Sequence, residues 1–139
     1  MRLLLDTCTF LWLVGGSDQL SARARQAFAD PANEVFLSAT SAWEIAVKFR
    51  LGRLPLPAPP DVFVPVQRAA HGIEPLPIEE EAALHVAKLP DLHRDPFDRM
   101  LVAQAMCESM TLVSRDRELA KYGVKLLWRD APHARSRTT

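Results

Sequence analysis

The chain predicts an α/β fold with a central, mainly parallel sheet of four to five strands covered on both sides by helices. Three observations point there. Short runs such as Leu3-Leu4-Leu5, Val35-Phe36-Leu37 and Leu112-Val113 are wholly apolar, as strands buried on both faces are. Segments of helical character fall between these runs, which is the alternation of a parallel sheet with crossover helices. The 139 residues, 48% hydrophobic and 24% charged, suffice for one core and show no internal repeat.

The elements follow in order. Leu3-Leu4-Leu5 is a strand stopped by Asp6-Thr7, and Phe10 to Val14 is a short helix ended by Gly15-Gly16. Ser21 is a fitting N-cap for a helix to Ala29. After the strand at Val35, Ser41 to Leu51 is helical and stops at Gly52, with Ser41-Ala42-Trp43-Glu44 as a capping box. The run Pro55-Leu56-Pro57-Ala58-Pro59-Pro60 is a stiff connector, because neither side is long enough to be a separate domain. Asp61 to Ala70 is helical, Ile73 to Leu76 extended, and Glu79 to Lys88 a helix with acids first and a lysine last. Asp95-Pro96 opens a strong helix through Cys107, since proline suits the first helical position. Leu112-Val113 is a core strand, Arg117 to Lys121 a short helix and Val124 to Leu127 a last strand. Residues 1–128 form a single domain on this reading, and 129–139, with Arg129, Arg135 and Arg137, a flexible basic tail.

Seventeen Lys+Arg balance seventeen Asp+Glu, which excludes nucleic-acid binding by bulk positive charge but leaves room for a local basic groove. No apolar run approaches the ~20 residues of a membrane span. Asp6 comes too early for a secretory signal, so a cytoplasmic location is expected. Cys8 and Cys107 form no C-x-x-C pair and are expected to be reduced and mostly buried. The histidines His71, His85, His93 and His133 show no zinc spacing, and no Walker loop, G-x-S-x-G elbow or G-x-G-x-x-G occurs. His93 reads as a loop hydrogen-bonder rather than a ligand. Trp12, Trp43 and Trp128 read as core or interface residues before base-stacking ones.

Four acids fall where a parallel sheet gathers its strand C-termini and helix N-termini. Asp6 closes the first strand, Glu44 lies in the opening turn after the second, Asp98 in the opening turn of the helix begun at Asp95, and Asp116 beyond Leu112-Val113. Each alone reads as a helix cap worth ~1 kcal/mol. Together they would repel, by roughly 4 kcal/mol per pair at ~4 Å and an effective dielectric of 20, unless protonated or neutralised by cations. Oxygen ligands of this kind suit Mg²⁺ or Mn²⁺.

These residues carry a resemblance. Leu3-Leu4-Leu5-Asp6-Thr7, Ser38 to Lys48 with its Glu44, His93-Arg94-Asp95-Pro96-Phe97-Asp98-Arg99 continuing to Ala105, and Leu112-Val113-Ser114-Arg115-Asp116 stand in the order of four motifs of the PIN-domain ribonucleases. The chain resembles that family from about Leu3 to Leu127, and in particular the VapC-type toxins of toxin–antitoxin modules. The resemblance implies a PIN-like α/β/α sandwich and a Mg²⁺-dependent endoribonuclease, with Mn²⁺ as a possible substitute. It implies Asp6, Glu44, Asp98 and Asp116 as the metal-binding catalytic acids, with Asp95 as a cap or outer acid and Thr7 and Ser114 assisting. It also implies a homodimer, a small VapB-like antitoxin and cleavage leaving a 5′-phosphate and a 3′-hydroxyl.

Lys48, Arg99 and Arg115 sit beside these acids in sequence and are the expected RNA phosphate contacts, with an i,i+4 pair to Glu44 as the plain alternative for Lys48. The apolar segments Phe10 to Val14 and Asp61 to Val66 are the candidate antitoxin surfaces. Three rivals stand beside this reading: an RNA-processing nuclease outside any toxin pair, a response-regulator-like phosphoacceptor domain, and a nuclease-like fold kept only for binding. The phosphoacceptor reading needs an acid closing a central strand, and the strand at Val35 ends in Ser38.

Overall fold

The computed structural model describes residues 1–129. Its five strands, β1 (Arg2–Leu5), β2 (Glu34–Ser38), β3 (Glu74–Leu76), β4 (Thr111–Val113) and β5 (Leu126–Leu127), form one sheet. The order is β3-β2-β1-β4-β5 and every pairing is parallel. The chain therefore builds outward from β1 on one side, then crosses back to add β4 and β5 on the other. At the carboxyl edge Leu5 stands between Leu37 of β2 and Val113 of β4.

Alternation along β1 divides the core. Leu3 and Leu5 face Phe10 of helix α1 (Thr7–Val14), Ala24 of α2 (Ala22–Ala29), Ile45 of α3 (Ala39–Arg50) and Val64 of α4 (Pro60–Ala70). Leu4 faces the opposite way, into Leu101, Val102 and Ala105 of α6 (Pro96–Cys107) together with Leu112 and Leu119. Helix α5 (Glu80–His85) runs into a 3-10 turn, Val86–Lys88, and packs against α6. A second 3-10 segment, Arg117–Tyr122, ends at Gly123, whose φ of 85° is the left-handed conformation glycine adopts without cost. Leu54, Leu56 and Ala58 pack on the first core, so the proline-rich connector is fastened to the body.

Three expectations need correction. Helix α3 starts two residues before Ser41: Ser38 is its cap, accepting from the Thr40 amide, and Ser41 Oγ is buried without a hydrogen-bond partner among the described residues. Ser38 wins because its hydroxyl also donates to Gln104 Oε1 on α6, a buried tie that Thr40 Oγ1 reinforces at 3.1 Å. Glu44 consequently lies in the second turn. Cys8, expected to be buried, is exposed, because the first turn of α1 presents it to the open edge of the sheet. The helix at Glu79 begins one residue later and tightens before Lys88. The tail expected over 129–139 lies outside the described residues apart from Arg129. No helix among the described residues is long and apolar enough to cross a membrane.

Leu101 is fully buried where α6 meets Leu4 and Leu112. Leu101→Ala should cost roughly 2–5 kcal/mol through lost transfer energy and the cavity left behind, measured as a fall in the urea midpoint at unchanged slope.

Candidate metal centre

The site grows from the end of β1. The Asp6 amide donates to the Val113 carbonyl at 3.1 Å, continuing the pairing with β4 for one residue. The Asp6 carboxylate accepts from the Thr9 amide at 2.9 Å and caps α1. Thr7, next along, donates its hydroxyl to Glu44 Oε1 at 2.5 Å, and Lys48 pairs with Glu44 Oε2 from one turn further on α3. Both oxygens of this buried carboxylate are thereby engaged. That contact keeps the Lys48 ammonium charged above its usual range.

Asp95 caps α6 through bonds to its side chain from the Phe97 and Asp98 amides at 2.8 and 3.4 Å, so Asp98 leaves the helix in its first turn. Asp116 follows β4 beyond Ser114, accepts from the Glu118 amide at 3.0 Å and caps the 3-10 segment. Its own amide donates to Ser114 Oγ. His93, in the loop before Asp95, brings Nε2 to 3.0 Å from Asp116 Oδ2 and 3.5 Å from Asp98 Oδ2.

Asp6, Glu44, Asp98 and Asp116 line one cavity of about 440 Å³ with Thr7, Cys8, Trp12, Lys48, Asp95 and Arg115. The electrostatics record the crowding. Burial raises the pKa of the Asp6 carboxyl, opposed by hydrogen bonds from Ser114 and Thr9, with Glu44 raising it further. Asp98 is pushed up to about 7, first by burial, then by Asp95, with Asp6 and Glu44 adding and His93 opposing. Capping and clustering thus coexist at Asp6, Asp95 and Asp116, which all line the cavity.

Of the cations expected at the site, Lys48 and Arg115 line the cavity, the latter held by Gln19 Oε1 at 3.0 Å with its guanidinium over Trp12. Arg99 corrects the sequence expectation. Its terminal nitrogens donate to the carbonyls of Pro90, Val86 and Leu89 and to the Tyr122 hydroxyl, so it ties the chain together and does not line the cavity. Trp43, expected in the core or at an interface, is not in the core. It is 57% exposed and meets the Phe97 ring edge-on at 4.8 Å. His93 is a loop hydrogen-bonder as expected, but its partner is a site acid, which its place two residues before Asp95 could have suggested.

A family model for the PIN domain matches residues 3–125. The chain belongs to the PIN domain family. Ribonuclease VapC16 of Mycobacterium tuberculosis is 43% identical over 56 residues, which cover 40% of this chain and 40% of that protein's length. Among solved structures, VapBC2 from Rickettsia felis bound to a fragment of its promoter DNA matches with a TM-score of 0.70 at 13% identity, over 93% of this chain and 100% of the other. DNA-bound VapBC from Salmonella typhimurium matches with a TM-score of 0.67 at 19% identity, over 91% and 97%. These likenesses give the five-stranded PIN fold. The oxygen-rich donor set, two of whose carboxyls hold protons above their ordinary range, fits the divalent cation that PIN nucleases generally use.

The raised Asp98 value has a stability consequence. The folded state binds this proton more tightly than the unfolded chain, so the contribution is full below pH 3.8 and lost as pH rises through about 7. In EDTA, the thermal midpoint of Asp98→Asn should therefore climb relative to the unsubstituted protein across that window, read by scanning fluorimetry at stepped pH.

Proposed function

We propose that the chain is a divalent-metal-dependent endoribonuclease of the toxin type, restrained by a small antitoxin. The observation that carries this reading is the convergence of Asp6, Glu44, Asp98 and Asp116 on one cavity at the carboxyl edge of a PIN sheet. Asp6 and Asp116, on rigid strand ends, would be the direct ligands, and Asp98 and Glu44 would complete the shell. Thr7 holds Glu44, Asp95 sets the start of the helix that carries Asp98, and Ser114 steadies Asp6 and the Asp116 loop. Mg²⁺, or Mn²⁺ in its place, supplies an activated water at neutral pH and offsets charge growing on the phosphate.

The protein's remaining task is to hold a polyanion beside its own acids. Arg115 and Lys48, which both line the cavity, serve that purpose, since phosphate contacts fix position without reading sequence. The products under this reading carry a 5′-phosphate and a 3′-hydroxyl. The likeness to VapC16 supports an RNA substrate, and the VapBC neighbours support an antitoxin partner. Of the two apolar segments, Phe10 is enclosed in the core and Leu11 to Val14 are half-buried, whereas Val62 and Val66 are half exposed on α4, a helix that also lines an apolar cavity of about 600 Å³ with β2, α3 and β3. The α4 face is thus the better antitoxin surface.

Asp6→Asn should abolish cleavage of a fluorescent RNA while its thermal midpoint in EDTA stays level or rises, because repulsion is relieved. Full activity in Asp6→Asn, or undiminished activity of the parent protein in EDTA, would overturn the reading. Arg115→Ala should weaken RNA binding alike across sequences and reduce the slope of log affinity against log salt by about 1, measured by fluorescence anisotropy.

A further inference from the structure

The geometry points to His93 as a positioning residue for the metal centre: its Nε2–H holds Asp116, and more loosely Asp98, in the orientation that receives a divalent cation. This deepens the nuclease reading and rests on it. The argument begins at the other ring nitrogen. The Asp95 backbone N–H lies 3.2 Å from His93 Nδ1, and a backbone amide can only donate. Nδ1 is therefore the acceptor, and a neutral imidazole then carries its single proton on Nε2. That proton points at Asp116 Oδ2, 3.0 Å away, with Asp98 Oδ2 at 3.5 Å.

An Nε2 that bears a proton has no lone pair for a metal. Direct ligation by His93 would require breaking the Asp95 contact and moving the proton to Nδ1. The carboxylates face no such conflict, because each oxygen offers two lone-pair sites and can accept a hydrogen bond while ligating. Asp116 is then fixed at both oxygens, Oδ1 by the Glu118 amide and Oδ2 by His93. This matters because Asp116 is the more open acid of the pair, its side chain 38% exposed against 23% for Asp98. Asp95 connects the parts. Its side chain caps the helix bearing Asp98 while its amide sets the tautomer of the ring that orients Asp116.

The test is Mn²⁺ binding to the full chain without RNA, followed by electron paramagnetic resonance, in the unsubstituted protein, His93→Ala and His93→Gln. Loss of an outer hydrogen-bonding partner typically weakens metal binding about 10–100-fold, and His93→Ala should raise the Mn²⁺ Kd by that factor with its thermal midpoint in EDTA little changed. His93→Gln, whose amide N–H can reach the place of Nε2–H, should recover most of the affinity. The Mn²⁺-loaded parent protein should show no hyperfine coupling to a directly bound imidazole nitrogen, a readout that decides even if His93→Ala fails to fold. Unchanged Mn²⁺ affinity in His93→Ala overturns the proposal, and so does an imidazole coupling that disappears with the substitution. Failure of the parent protein to bind Mn²⁺ would instead remove the nuclease reading itself, and this proposal with it.

Discussion

The reversal of strand order at β1 governs everything this molecule can do. Because β2 and β3 are laid down on one side of β1 and β4 and β5 on the other, the connections leaving β1 and β4 part from each other at the carboxyl edge. A crevice opens there without any residue being spent on making it, as in other doubly wound sheets. Asp6 and Asp116 sit at its two lips, while α3 and α6 deliver Glu44 and Asp98 from either side. The topology brings like charges together, and the hydrogen bonds and the raised carboxyl pKa values are the response to that constraint.

The caps explain how such a cluster survives folding. Asp6, Asp95 and Asp116 each satisfy backbone amides at the start of a helical segment, so each is stabilised locally before any question of a bound ion arises. Glu44 reaches the same end with side chains, through Thr7 and Lys48. Asp98 has the least of this support: the titratable groups beside it are another acid and one imidazole, and it is the carboxyl whose pKa is displaced to about 7.

Much of this was legible in the sequence because the signals are local. Wholly apolar triplets reported buried strands, and Asp95-Pro96 reported a helix start to the residue. The placement of four acids on one edge needed only the rule that parallel strands share a direction. What escaped was set by contacts distant in sequence. Ser41-Ala42-Trp43-Glu44 has the lettering of a capping box, yet Ser38 takes the role because Gln104, sixty-six residues away, rewards its hydroxyl. Arg99 stands beside Asp98 in the chain, but on a helix neighbouring positions point about 100° apart, and its guanidinium finds four oxygens on the other flank. Trp43 is half in solvent for the same angular reason, next to the buried Glu44.

That spread of Arg99 across the carbonyls of Val86, Leu89 and Pro90 has a mechanical meaning. The segment leading to His93 is laced to the first turn of α6, so the ring and the helix start that bears Asp98 belong to one cooperative patch. Amides on both sides of the lacing should exchange with solvent through a common opening event, since units joined in this way open together. A fluctuation there dismantles half of the acidic crevice at a stroke and leaves the Asp6 half, rooted in the central strand, standing.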